Sequence, residues 1–218
     1  MPFTHRDELR WTWAGLLLLA GCAGSGKAGG EEGWESLLDA QAAPGWEASP
    51  FGSTAEPRIE EGTLVIPSGE PMVGVHWTGE FPRDDYEIRL EAMRVEGNDF
   101  FCGLTFPVKD SHASLIVGGW GGGVCGVSSF NGRDASENET ASYREFEKGR
   151  WYRIRLRVGG DAIEAWIDDE QIVDAEIGGR KVDIRPDIAP SKPLGLTTYR
   201  TEAAIRNLEW RKVPGESS

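Results

Sequence analysis

Residues 149–168 constrain this chain more than any other stretch. Two runs of alternating apolar and polar residues, 151–158 and 161–168, meet at Gly159-Gly160. That pair tolerates the positive φ angles of a two-residue I′ turn. With Val158 opposite Asp161, Tyr152 faces Ile167, Ile154 faces Ala165 and Leu156 faces Ile163, so one side of the ribbon is apolar. The other side carries Trp151 opposite Asp168, Arg153 opposite Trp166 and Arg155 opposite Glu164. A slip by one residue would mix the two sets, which ties the pairing to the burial of one face. The apolar face needs a partner layer. The charged and aromatic face is either an ordinary solvated sheet surface, with Arg153 on Trp166 and Arg155 paired to Glu164, or a platform for a sugar.

The rest of the chain repeats this pattern in shorter pieces. Residues 58–60 and 63–66 flank Glu61-Gly62, a second hairpin signal. Stretches 72–77, 86–92, 99–106, 113–117, 124–129, 171–177, 194–199 and 204–213 read as further strands, and 184–193 is a Pro-rich loop. No stretch sustains a helical period. About a dozen short strands separated by turn signals predict an all-β fold, an antiparallel two-sheet sandwich. The domain spans 33–213, with 214–218 as a tail. Cys102 and Cys125 fall on the first and third strands of a meander. One intervening strand puts them about 10 Å apart, too far for a disulfide, so buried free thiols are expected.

The net charge of −13 argues against a nucleic-acid partner, because phosphate binding needs a basic surface. Residues 11–21 form an apolar run too short to span a bilayer and placed where a signal-peptide core belongs. The run ends in Leu19-Ala20-Gly21-Cys22, which resembles the bacterial lipoprotein lipobox. The resemblance implies a signal peptide over 1–21, a lipid on Cys22, and a flexible tether completing 22–32. It also implies a domain held at the cell envelope by its lipid, facing periplasm or exterior. Gly21 to Lys27 has the spacing of a phosphate-binding loop, but Ala28 replaces the required Ser or Thr and no strand precedes it, so the match is a coincidence.

Two local features stand out. In Gly118-Gly119-Trp120-Gly121-Gly122-Gly123, five glycines surround one indole. Such a loop can turn sharply and push Trp120 outward, where it suits the apolar face of a sugar ring; packing over a sheet edge is the alternative. Residues 131–140 are polar enough for a functional loop. Asp134, Ser136 and Asn138 begin the spacing of an EF-hand calcium loop, although Glu139 stands where glycine is needed and no helices flank it. No cofactor is demanded by any motif, and calcium on Asp134, Ser136 and Asn138 is the one metal the spacing suggests. Trp120, Asn131 and Trp166 are the carbohydrate-binding candidates.

Taken in order, Gly33-Trp34-Glu35-Ser36-Leu37-Leu38-Asp39, Gly45-Trp46, Glu61-Gly62-Thr63-Leu64, Asp85-Tyr86-Glu87-Ile88, Gly149-Arg150-Trp151-Tyr152, Ala165-Trp166-Ile167-Asp168 and Ile205-Arg206-Asn207-Leu208 resemble the 3-keto-disaccharide hydrolase domain family. The resemblance implies a concanavalin-like, laminin-G-like jelly roll and a carbohydrate or glycoside ligand. It also implies cleavage of glycosides oxidised at C3. A ketone there acidifies the C2 proton, a base removes it, the C1 oxygen leaves, and water adds back. Such a site needs a base, a cation on the enolate oxygen and an acid for the leaving group. His112, Asp134, Glu137 and Glu164 are the acid or base candidates, with Arg144 or Arg153 as the cation. His112 also reads as a plain turn residue. The chain departs from the family pattern after Asn98, where the usual Arg is absent from Asp99-Phe100-Phe101-Cys102-Gly103-Leu104, and around Ser111-His112-Ala113-Ser114. A carbohydrate-binding module without chemistry and a laminin-G-like adhesive domain therefore stay open beside the enzyme. Convergence of a carboxylate or His, an Arg and a Trp on one cleft would separate the enzyme from the other two.

Overall fold

The computed structural model describes residues 33–39 and 43–215. Cys22, the signal-peptide segment and the tether lie outside them. The described chain is a sandwich of two antiparallel sheets, with strands numbered in chain order. Across the first sheet run β13 (Glu170–Glu176), β12 (Ala162–Ile167), β11 (Trp151–Gly159), β6 (Tyr86–Glu96), β15 (Glu202–Lys212), β4 (Thr63–Ile66) and β3 (Arg58–Glu60), with β1 (Glu35–Ser36) also paired to β15. The second runs β10 (Ser142–Tyr143), β9 (Val124–Ser128), β8 (Ser111–Gly119), β7 (Cys102–Val108), β14 (Gly195–Tyr199), β5 (Met72–Trp77) and β2 (Trp46–Ala48). Among the described residues the only helical element is one 3₁₀ turn, Ala189–Ser191. The expected all-β jelly roll is the observed architecture.

Period-two alternation places the core. Tyr152, Ile154, Leu156 and Val158 on β11, Ile88, Leu90 and Ala92 on β6, and Leu104 and Phe106 on β7 meet between the sheets, essentially without exposure. Cys102 and Cys125 both pair with Val117, so one strand separates them as expected. They are buried free thiols, which burial pushes up to about 12 and about 11 respectively.

The β11–β12 hairpin corrects the expected register. Val158 faces Ile163, Leu156 faces Ala165, Arg155 faces Trp166 and Arg157 faces Glu164. The turn is Gly160-Asp161 rather than Gly159-Gly160, and Gly160 takes the positive φ of 58°. Every pair has slid by two residues, which leaves both faces intact; burial alone cannot tell these registers apart. Tertiary contacts decide it. The Ile177 N–H donates to the Asp161 carbonyl at 2.7 Å, and Lys109 Nζ donates to the Gly160 carbonyl at 2.7 Å.

The outward faces of the two sheets differ. On the first sheet they are charged. On the second they are small, with Gly74, Gly103, Gly126 and Gly195 alternating with Thr105, Ser114, Ser128 and Thr197. The Pro-rich loop folds down onto this second face. Ser191 Oγ lies 2.7 Å from Thr105 Oγ1, which is in turn 2.9 Å from Ser114 Oγ. A Cβ on Gly195 would come within 2.3 Å of the Ser191 carbonyl oxygen, so the loop needs glycine beneath it. Ile184 and Ile188 from the loop pack with Met72, Phe100, Ile116 and Tyr199 as a second, smaller apolar cluster on this face.

Candidate functional site

Where the loop stops, a cleft of about 300 Å³ remains on the second sheet. Met72, Phe100, Ile116 and Ile188 make its apolar lining, and Asp99, Ser128, Arg185, Asp187, Trp120 and Tyr199 supply polar and aromatic groups. Trp120 stands at the end of β8 with φ of 47° and is 44 % exposed, so the glycine loop does push its indole outward. Arg185 is gripped by Asp187, Nε to Oδ1 at 3.0 Å and Nη2 to Oδ2 at 3.1 Å, while its Nη1 donates to Asp134 Oδ2. These bonds, Asp187 foremost, raise the guanidinium pKa further. Asp99 Oδ1 accepts the Phe100 N–H at 2.8 Å, and Oδ2 has only a long contact, 3.4 Å, to the Gly121 N–H.

A buried arginine holds the rim of this cleft. Arg94 is 5 % exposed, and its guanidinium donates to the carbonyls of Asp99 (3.2 Å), Gly118 (3.1 Å), Gly122 (2.8 Å) and Phe146 (3.5 Å). Its Cζ lies 5.0 Å from the Phe101 ring centre and 5.7 Å from that of Phe146. Burial lowers the Arg94 pKa, but a guanidinium stays charged and carbonyl dipoles then carry its solvation. One side chain thus ties Asp99 to both ends of the Trp120 loop.

The sequence-predicted residues divide sharply. Trp120 lines the cleft, and Asp134 reaches it through Arg185. Glu137 is exposed on the 131–140 loop, its N–H bonded to the Asp134 carbonyl. Asn131 is a turn residue with φ of 50°, and its Oδ1 accepts the Lys181 N–H at 3.0 Å. His112 is a strand residue opposite Pro107, not a turn residue. It sits seven residues down β8 from Gly119, about 23 Å away. Burial first, then the charges of Arg83 and Lys192, pushes its imidazole down to about 4, and its Nε2 is buried without a partner.

Arg144, Arg153, Glu164 and Trp166 do not join them. Arg144 is held by Asp168 at 3.1 Å and Glu170 at 3.2 Å, and Arg153 by Asp169 at 2.9 Å. Glu164 lies 3.7 Å from Arg157, and Arg155 covers the Trp166 ring with its Cζ 3.7 Å from the centre. Arg144 follows β10 of the second sheet and reaches across to the end of β12. Arg153, Glu164 and Trp166 belong to the outer face of the first sheet, where a wider groove of about 630 Å³ is floored by a charge lattice. In that lattice Glu87 receives both Arg155 and Arg211, Arg206 pairs with Glu91, and Arg89 pairs with Glu209. Arg206 also covers Trp151, with its Cζ 4.0 Å from the ring centre. A guanidinium thus covers one face of each of these two indoles, and the charges on this face pair across strands.

The calcium spacing is likewise corrected. Asn138 is buried, its Nδ2 donating to the carbonyls of Val127, Arg133 and Asp134 and its Oδ1 accepting from Thr140 N and Oγ1. It clamps the loop and has no oxygen left for a metal. Among the described residues no group of three His, Cys, Asp or Glu side chains gathers around a common point.

The cleft residues that sequence reasoning missed are Asp99, Arg185, Asp187, Tyr199 and the supporting Arg94. Arg94 carried a signal, because it continues the inward series Tyr86, Ile88, Leu90, Ala92 with a charge. Arg185 and Asp187 sit between Ile184 and Ile188, two apolar residues that a loop must bury somewhere.

Fold and cleft together define a concanavalin-like jelly roll with a loop-bordered pocket on one sheet. The chain belongs to the 3-keto-alpha-glucoside-1,2-lyase-like domain family, whose profile matches residues 33–211. Its fold is similar to that of a Parabacteroides distasonis ATCC 8503 protein provisionally assigned as a glycosyl hydrolase, with a TM-score of 0.55 at 11 % identity over 84 % of this chain and 95 % of that one. It is also similar to the Crh5 transglycosylase, with a TM-score of 0.53 at 9 % identity over 84 % of each chain. A third likeness is to a structure from work on endo-acting O-glycanases of the human gut microbiota, with a TM-score of 0.51 at 12 % identity over 85 % of this chain and 94 % of that one. At these identities the likenesses speak to the fold. No curated protein matches the sequence.

Arg94 generates a stability prediction. Arg94→Met keeps an unbranched apolar stem and leaves four carbonyls without their donor, and it should cost about 2–4 kcal/mol in denaturant unfolding. Arg94→Lys should recover only part of that, since one ammonium cannot reproduce the planar fork. A loss below about 0.5 kcal/mol in Arg94→Met would mean that the guanidinium does not hold the rim.

Proposed function

We propose that the cleft binds glycosides oxidised at C3 and that the domain cleaves them by elimination and hydration. One observation carries this reading: an indole, a guanidinium and carboxylates line a single partly apolar cleft. Trp120 stacks on the sugar ring. Asp99, whose Oδ2 is the least engaged carboxylate oxygen in the cleft, takes the C2 proton. The electron pair left on C2 is delocalised onto the C3 oxygen, and Arg185 stabilises that enolate. Collapse of the enolate expels the C1 oxygen, which takes up the proton held by Asp99 and leaves as the aglycone alcohol, returning Asp99 to its carboxylate. Water then adds across C1=C2, so the sum is hydrolysis to a 3-keto sugar and an alcohol. Tyr199 and Ser128 offer hydroxyls to the ligand from the cleft wall. Membership of the 3-keto-alpha-glucoside-1,2-lyase-like family supports the substrate class.

A second reading, a binding module without chemistry, has its own support. Arg185 already spends Nε, Nη1 and Nη2 on two carboxylates, which offsets the positive charge an enolate would need. The same variants separate the two. Trp120→Ala should weaken binding of a 3-keto-α-glucoside about tenfold. Asp99→Asn, which keeps the Phe100 hydrogen bond, should lower turnover about a hundredfold or more with little change in affinity. Equal turnover in wild type and Asp99→Asn would remove Asp99 as the base. Binding without turnover in the wild type would favour the module.

We further propose that the chain is an envelope lipoprotein tethered through Cys22. Cys22→Ser should abolish metabolic labelling by palmitate and release the domain from membranes. Unchanged labelling and fractionation would refute the tether.

A further inference from the structure

Tyr143 is the most exposed large hydrophobic side chain among the described residues, at 75 %. It lies on the edge strand β10, opposite Val124, while its neighbour Ser142 faces Cys125. Cys125 points into the core. Parity therefore puts Tyr143 and Val124 on the outward face, the same face as the Ile116 and Ser128 of the cleft. Across the sheet, Gly119, Val124 and Tyr143 lie in one row, since Val124 pairs with both. Trp120 follows Gly119 directly. The two aromatics thus stand about two strand spacings, roughly 10 Å, apart at the backbone.

The ring is also held in place. A Cβ on Gly123 would meet Tyr143 Cε2, Cζ and Cδ2 at 2.3, 2.6 and 2.9 Å, so the phenol is laid against bare backbone of the Trp120 loop, where only glycine leaves room. The Arg144 N–H donates to the Gly123 carbonyl at 2.9 Å and ties the strand to that loop. Nothing in the described structure covers the opposite side of the ring or takes its hydroxyl. A fixed aromatic plane with one open side and a free hydroxyl has the features of a sugar platform.

We propose that Tyr143 forms a second sugar-binding subsite beside Trp120, so that the ligand is an oligosaccharide whose further rings run from the cleft across Val124 to the edge of the sheet. This rests on the reading of the cleft as a glycoside site and extends it from one ring to several. It gives Gly123 a role that the Trp120 loop alone does not require.

Two 3-keto-α-glucosides test it, one with a methyl aglycone and one with a maltosyl aglycone. Each is titrated against the full chain by saturation-transfer NMR, which reads binding whether or not turnover follows. Tyr143→Ala should weaken the maltosyl compound about tenfold and leave the methyl compound unchanged. Tyr143→Phe should fall between wild type and Tyr143→Ala, and Trp120→Ala should weaken both ligands. If Tyr143→Ala weakens neither ligand, or both equally, while the wild type binds them, the second subsite is wrong and the cleft reading stands. If the wild type binds neither, the cleft reading fails and the subsite with it.

Discussion

Period-two alternation is the constraint on which the rest of this structure depends. It sends Tyr152, Ile154, Leu156 and Val158 inward with Ile163, Ala165 and Ile167, and it leaves Arg153, Arg155, Arg157 and Trp166 outside. Burying large side chains from both sheets supplies the driving force for the sandwich. The outward faces then differ by composition. The first sheet covers itself with pairs such as Arg206–Glu91 and Arg89–Glu209, which satisfy one another. The second carries glycines and hydroxyls, leaving room for a loop and, beside it, a cleft.

That cleft depends on a break in the parity rule. Arg94 is an inward charge, and four backbone carbonyls solvate it. The cost of burying a cation is offset by its hydrogen bonds to three chain segments at once and by the Phe101 and Phe146 rings. Asp99, the Trp120 loop and Phe146 are all held from beneath by one planar group. The exposed indole is thus displayed on a fixed support, which lowers the entropy a ligand must overcome to dock on it.

Much of the fold was legible because it is local. Alternation, the Glu61-Gly62 turn with φ of 47° and 77°, and the strand between Cys102 and Cys125 could all be read along the chain. The hairpin register was missed by two residues because both registers bury the same face, and the choice is made by Lys109 and Ile177 from elsewhere in the fold. Trp120 was legible from its glycines. Arg185 and Asp187 were not, because a Pro-rich loop has no periodicity to say which surface it covers. Arg144, Arg153 and Glu164 looked functional because charges beside aromatics draw attention, and their partners, Asp168 and Glu170, Asp169, and Arg157, are set by the folded register of β11, β12 and β13. The Asn138 spacing misled for a related reason: the same oxygens that could ligate a metal can also clamp a loop.

The central claim is that ligand binds on the loop-bordered sheet at Trp120 and not on the charge-covered sheet at Trp166. The indole N–H resonances, assigned by single Trp→Phe substitutions and followed while methyl 3-keto-α-glucoside is added, test it directly. The account predicts that the Trp120 resonance shifts with the ligand while those of Trp151 and Trp166 stay in place. Movement of Trp166 or Trp151 with Trp120 stationary would contradict it.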